Sequence, residues 1–186
     1  GFCGTMTLQN DRYIGVVEDL LESALESGFR RILLLNGHGG NEAPARIAMY
    51  NVRFRRRAER GLHLALVSWW SLIPGAAPVR AGCVQAAVSH ACEWETSALL
   101  ALHPESVRAD LAPDDSGPEP WPGAGTRRYV ADEARQFAEV TVTGALGLPR
   151  QASASKGEAL LSAAADALVE LVRDISGWAD TPQPHH

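Results

Sequence analysis

The chain changes character abruptly between residues 32 and 41. Ile32-Leu33-Leu34-Leu35 is a continuous apolar run, and it stops at Asn36-Gly37-His38-Gly39-Gly40-Asn41. The run is too short and too unbroken for an amphipathic helix, so it reads as a buried strand. Glycines in the loop permit positive φ and the close approach of another group. In a parallel sheet such a loop lies at the carboxyl edge, where α/β folds bind ligands. His38 is therefore a candidate metal ligand or acid–base group. A tight turn around a hydrogen-bonded histidine satisfies the same pattern.

The flanking pattern extends this into an alternation of helices and strands. Asn10 is placed to cap a helix from about Asp11 to Ser27, with Ile14, Val17, Leu20, Leu21, Ala24 and Leu25 as its apolar stripe and Gly28 at its end. After the glycine loop, Pro44 suits the first turn of a helix carrying Ile47, Tyr50 and Phe54. Leu62–Val67 reads as a second buried strand, ending at Ser68-Trp69-Trp70. Residues 71–88 read as loop, and a helix is expected over roughly Glu95–Leu102 before Pro104. Residues 104–126 read as irregular, Val140–Thr143 as a short strand, and about Lys156 to Ile175 as a last helix. Its apolar side carries Leu160, Leu161, Ala164, Leu168, Leu171, Val172 and Ile175. This order argues for an α/β fold with a largely parallel sheet.

Composition excludes several classes. At 186 residues, 46% hydrophobic and 21% charged, the chain suits one globular domain, here residues 1–178 followed by a tail, 179–186. A net charge of −5 argues against nucleic-acid binding. Arg53, Arg55, Arg56, Arg57 and Arg60 cluster, but on a helix they spread around the circumference, as a solvated face or subunit contact does. Three cysteines without a CxxC pair suggest reduced thiols and a cytoplasmic protein. No apolar run approaches the roughly 18 residues of a membrane span. The chain opens at Gly1 on residues that read like the interior of a domain, so a preceding segment is expected.

Ser89-His90-Ala91-Cys92-Glu93-Trp94-Glu95-Thr96-Ser97 gathers an imidazole, two carboxylates, a thiol and hydroxyls. His90 and Glu93 would share a face if both were helical. Glu95 and Thr96 also serve as ordinary first-turn residues. Imidazole from His38 and His90 with carboxylate from Glu93 and Glu95 suits zinc, manganese or iron. The spacing matches neither HExxH nor a zinc finger. A Cys92–His90 nucleophile pair is disfavoured, because side chains two residues apart diverge.

The loop at 36–41, followed by His90-Ala91 and Glu95-Thr96-Ser97, resembles the creatininase (creatinine amidohydrolase) family. Phe2-Cys3-Gly4-Thr5 resembles the segment before that family's first helix. Gly144 through Gly157, with Ala152 and Lys156, resembles its glycine-rich stretch and final helix. The resemblance runs through nearly the whole chain in order. It implies a three-layer α/β/α sandwich and, in many members, a homo-oligomer. It also implies a pair of divalent metals per complete site and hydrolysis, by metal-activated water, of a non-peptide or cyclic amide (a creatinine-like, formamide or cofactor-precursor amide). By the resemblance His38 is a metal ligand and His90 the catalytic acid–base group. One of Glu93 and Glu95 completes the coordination, with Glu93 favoured, because this chain has Gly40 where creatininase proper carries a glutamate. Trp69, Trp70 and Asn41 are candidate substrate contacts.

The family's N-terminal strand, with its Glu-x-His and a following Asp, has no counterpart in these residues. Cys92 also stands where glycine is usual, and Ala145-Leu146-Gly147 where the family tends to place Asp-Pro after glycine. The alternative reading is therefore a catalytically incomplete family member acting as a binding or assembly subunit.

Overall fold

Apolar residues repeating every four positions make Asn10–Glu26 the first helix, α1, with Val17, Leu21 and Leu25 buried along one side. In this computed structural model residues 2, 5–114 and 136–179 are described. They gather into two compact units: residues 6–73 with 164–179, and residues 74–114 and 136–163 with Phe2 and Thr5. Residues 115–126 of the expected irregular segment, Cys3 and most of the tail lie outside the described residues.

In the unit built on residues 6–73, α1 ends at Gly28, whose φ of +95° is left-handed. The Gly28 N–H bonds to the Leu25 carbonyl at 3.0 Å, and the Phe29 N–H to Ala24 at 3.2 Å, which satisfies two carbonyls of the last turn. Asn10 does not cap the helix. It is the first helical residue, and Gln9 precedes it in extended conformation without a side-chain cap.

Strands β1 (Arg31–Asn36) and β2 (His63–Ser68) pair in parallel, from Arg31 opposite His63 to Asn36 opposite Ser68. Helix α2 (Glu42–Arg55) makes the crossover between them. Val17, Leu21, Leu25, Ala48, Val52 and Leu62 form the buried core, flanked by Ile32, Leu34 and Leu64 from alternate strand positions. Ile47, Tyr50 and Phe54 remain exposed on α2. The inner stripe is Ala45, Ala48 and Val52, two positions earlier and so about 200° around the helix. Small residues on that stripe let α2 lie close to its neighbours.

Part of the arginine cluster ties α2 and the turn after it to α1. Arg55 meets Glu18 at 2.9 Å and Glu22 at 3.2 Å, and Arg56 meets Glu22 at 2.5 Å. Asn51 adds a 2.6 Å hydrogen bond to Glu18.

The other unit holds α3 (Ala77–Arg80), α4 (Glu93–Leu102), α5 (Phe137–Val140) and the start of α6 (Ala154–Gly177). The expected strand at 140–143 does not form. Val140 ends α5, and the Thr141 hydroxyl turns back to donate to the Ala145 carbonyl at 2.7 Å. Gly144, at φ +84°, completes the bend. Helices α4 and α6 touch at Gly157. A Cβ there would sit 1.9 Å from the Ser97 carbonyl oxygen. Among the described residues no helix is long and apolar enough to cross a membrane.

Two glycines inside helices should therefore respond oppositely to alanine. Gly157→Ala forces α4 and α6 apart and should cost about 1–3 kcal/mol. Gly15, with nothing within 4 Å of an added Cβ, should gain about 0.5–1 kcal/mol as Gly15→Ala. Thermal or urea unfolding of the two variants checks the contrast.

Acid should loosen the α1–α2 contact. Burial alone would raise the Glu22 carboxyl, but hydrogen bonds from Arg56 and Arg55 outweigh it and hold the group below its ordinary value of 4.5. A folded value below the unfolded one stabilises the fold above the unfolded value, and that stability is lost as pH falls through the folded one. The unfolding midpoint should fall below about pH 4.5, and less steeply in Glu22→Gln; equal slopes would contradict the assignment.

Candidate functional site

Asn36 organises the glycine loop at the carboxyl end of β1. Its Nδ2 donates to the His38 carbonyl at 2.9 Å and to Ser68 Oγ at 2.9 Å, and its Oδ1 accepts the His38 N–H at 3.2 Å. Ser68 Oγ donates in turn to Glu42 Oε1 at the start of α2. Asn36 and Ser68 are both buried, so one polar chain locks the ends of both strands to the following helix. Sequence reasoning did not single out Ser68 or Glu42. The signal available was their position, last on β2 and first on α2.

His38 is exposed, with extended backbone, and Gly39–Asn41 follows as a 3₁₀ turn. Its imidazole occupies the space above Gly40. A Cβ at Gly40 would lie 2.9 Å from His38 Nε2 and 3.2 Å from Cδ2. Trp69 and Trp70 enter a second 3₁₀ turn directly after β2, half-buried and edge to face at 6.2 Å. Asn41 is half-buried, and its N–H bonds to the His38 carbonyl at 3.0 Å. His38, Asn41, Trp69 and Trp70 thus all belong to turns after the carboxyl ends of the paired strands.

In the other unit, His90 lies in the loop before α4 and shares no helical face with Glu93, which is the first residue of that helix. The His90 ring packs edge to face on Phe137 at 4.6 Å, and its carbonyl accepts the Leu146 N–H at 2.7 Å. Ala91 adopts a left-handed φ of +47°, and its N–H is held by Glu95 Oε2 at 2.6 Å. Cys92 is fully buried, with its sulfur accepting the Ser89 N–H at 3.3 Å. That is the setting of a packed thiol.

The two carboxylates are used differently. Glu93 is 0% exposed. Its oxygens accept Val84 N–H at 2.9 Å, Gln85 N–H at 2.6 Å and Lys156 Nζ at 2.6 Å. Glu95 is half-buried and, among the described residues, is bonded through Oε2 alone, to Ala91. Of the pair, Glu95 keeps coordination capacity. Ser97 is fully buried and holds the Ser153 N–H at 3.1 Å ahead of α6.

The donor types suit a borderline divalent metal. Their number does not: among the described residues no three His, Cys, Asp or Glu side chains gather closely enough to hold an ion. The residues present do not by themselves fit a metal.

Replacing Asn36 tests the loop. Asn36→Ala leaves Ser68 short of a donor and should destabilise by about 1–3 kcal/mol, with faster exchange of the His38 amide. An unchanged His38 amide would show that the loop holds itself.

The creatininase (creatinine amidohydrolase) family model matches residues 1–172. A creatinine amidohydrolase of Pseudomonas putida is 26% identical over 181 residues, covering 93% of this chain. The chain spans only 66% of that relative's length. A crystal structure of creatinine amidohydrolase (creatininase) superposes with a TM-score of 0.77 at 23% identity, over 96% of this chain and 68% of that one. A mutant creatininase complexed with creatine gives 0.76 at 24% identity, over 93% and 68%. Similar structures include an Mn creatininase and a mutant of Zn–Zn type. These likenesses establish the α/β fold. With the family model matched across residues 1–172, the chain belongs to the creatininase (creatinine amidohydrolase) family.

Proposed function

We propose that this chain is the larger part of an amidohydrolase that opens a non-peptide or cyclic amide, of the creatinine, formamide or cofactor-precursor kind. The family match over residues 1–172 carries the reading. The His38 loop after β1 supports it, as does a half-buried His90 on a segment bound at both backbone and ring.

In such a reaction water adds to the carbonyl carbon, the C–N bond breaks and the nitrogen leaves with a proton. His90 is the group proposed to move that proton, because imidazole changes charge near neutral pH. His38 is proposed as a metal ligand, and so, in the other unit, is Glu95 rather than the favoured Glu93, whose oxygens already serve Lys156 and two amides. Two metals per site, with zinc, manganese or iron as candidates, need further ligands from outside the described residues. Asn41, Trp69 and Trp70 are proposed as substrate contacts. A cytoplasmic homo-oligomer completes the reading. Free Cys83 and Cys92 suit a reducing compartment, and the exposed Ile47, Tyr50 and Phe54 suit a second copy.

The test uses the protein at the full length of its relatives, assayed with creatinine, simple formamides and peptide amides after addition of zinc or manganese. Hydrolysis is expected, with kcat lowered about 10²–10⁴-fold in His90→Ala. His38→Ala and Glu95→Gln should lower bound metal measured by elemental analysis. Tight metal binding without hydrolysis of any of these amides would favour the binding-subunit alternative.

A further inference from the structure

We propose that Lys156 and Glu93 form a positioning device for the His90 segment, and that neither touches metal or substrate. This rests on the reading of His90 as the acid–base group. Glu93 opens α4, yet its carboxylate holds the amides of Val84 and Gln85, where the loop leading to His90 begins. One side chain therefore fixes both ends of the segment 84–93.

The hold spreads through Gln85. Its carbonyl accepts Trp94 Nε1 at 3.0 Å, and its side-chain oxygen accepts the Leu148 N–H at 3.0 Å. Leu146, two residues before, donates to the His90 carbonyl at 2.7 Å. Gly147 lies between them, where a Cβ would come 2.3 Å from Gln85 Oε1. The segment 146–148 is thus sewn to the loop at Gln85 and again at His90. Inside the loop, Glu95 holds Ala91 in its left-handed conformation beside His90.

Lys156 makes this arrangement tenable. A fully buried carboxylate without a counter-charge is costly, and two amides do not supply one. Lys156 Nζ does so at 2.6 Å from α6, and the same ammonium donates to the Gln151 carbonyl at 2.6 Å. An apolar pair of equal volume could fill the space, but it could not accept two backbone N–H groups. The ion pair is retained for the direction it gives the loop.

The full-length protein is compared as Lys156→Met, Lys156→Gln, Lys156→Arg and Glu93→Gln. Lys156→Met should keep its metal content and its substrate KM. Its kcat should fall about 10–100-fold, since a small misplacement of a reacting group has effects of that order. Its Val84, Gln85 and Leu146 amides should exchange at least about tenfold faster, and the nuclear Overhauser contact between the His90 and Phe137 rings should weaken. Lys156→Arg should restore most of each. Lys156→Gln, which keeps an N–H donor without charge on a side chain one atom shorter, serves if the methionine variant does not fold. In the unaltered protein, Val84 and Gln85 must already rank among the slowest amides. Fast exchange there, an unchanged ring contact in both neutral variants, or loss of bound metal in Glu93→Gln would overturn the proposal. If the unaltered protein hydrolyses no amide, the functional reading fails, while exchange and ring contact still decide whether Lys156 positions the loop.

Discussion

A carboxylate with no exposed surface must find its donors before its surroundings can close, and Glu93 imposes that condition on the unit around α4. Three donors meet it, from two adjacent backbone amides and one lysine on another helix. Each donor belongs to a segment that would otherwise be free to choose its own path. The loop must arrive at Val84 and Gln85 with its amides turned inward. Helix α6 must arrive with Lys156 on the same side as Gly157, which is buried against the Ser97 carbonyl. The contact therefore asks for charge at 156 and no side chain at 157.

Several residues that carry the family resemblance turn out to have scaffolding duties. Glu95 and Thr96 grip Ala91, and Ser97 holds the backbone ahead of α6. Lys156 and Gly157 make the charged and the close contacts with α4. A resemblance marks positions under constraint, but constraint can come from packing as readily as from chemistry. Glu93 and Glu95 show the difference. Both are acidic, both lie in the first turn of α4, and among the described residues one is saturated by the protein while the other is bonded through a single oxygen.

The legible parts were those set by local periodicity. The position of β1 and its loop, the helix stop at Gly28, and the long last helix follow from apolar spacing and from glycine at a left-handed position, but β1 is half-buried to exposed apart from Asn36, where its apolar run suggests a buried strand. Misreadings arose where a pattern fits two partners equally well. The row Ile47, Tyr50 and Phe54 has the same spacing as Ala45, Ala48 and Val52. Side-chain size does not pick out the buried row, because the neighbours of α2 accept small residues. The alternation at 140–143 would suit a strand, yet the Thr141 hydroxyl reaches Ala145 and closes a bend. At the candidate site, the turn that carries His38 after β1 was legible from the glycines that end the apolar run. The internal pairing of Glu93 was not legible, because its partner Lys156 is 63 residues away in the chain.

The glycines of the opening loop illustrate how far residue type can mislead. Glycine at 40 invites an explanation from backbone freedom, but it is not one of the left-handed glycines among the described residues, which are Gly28, Gly61, Gly82, Gly144 and Gly147. Its constraint comes from the His38 ring that lies where its Cβ would be. A side chain at that position would have to move a flexible imidazole, whereas one at Gly157 would have to move a helix backbone. The first change reorients one candidate ligand and leaves the fold in place. The second separates α4 from α6 and disturbs every contact that depends on their approach, Lys156 to Glu93 included. The loop is therefore a place where the chain can vary its chemistry at small structural cost, and the α4–α6 contact is where it cannot.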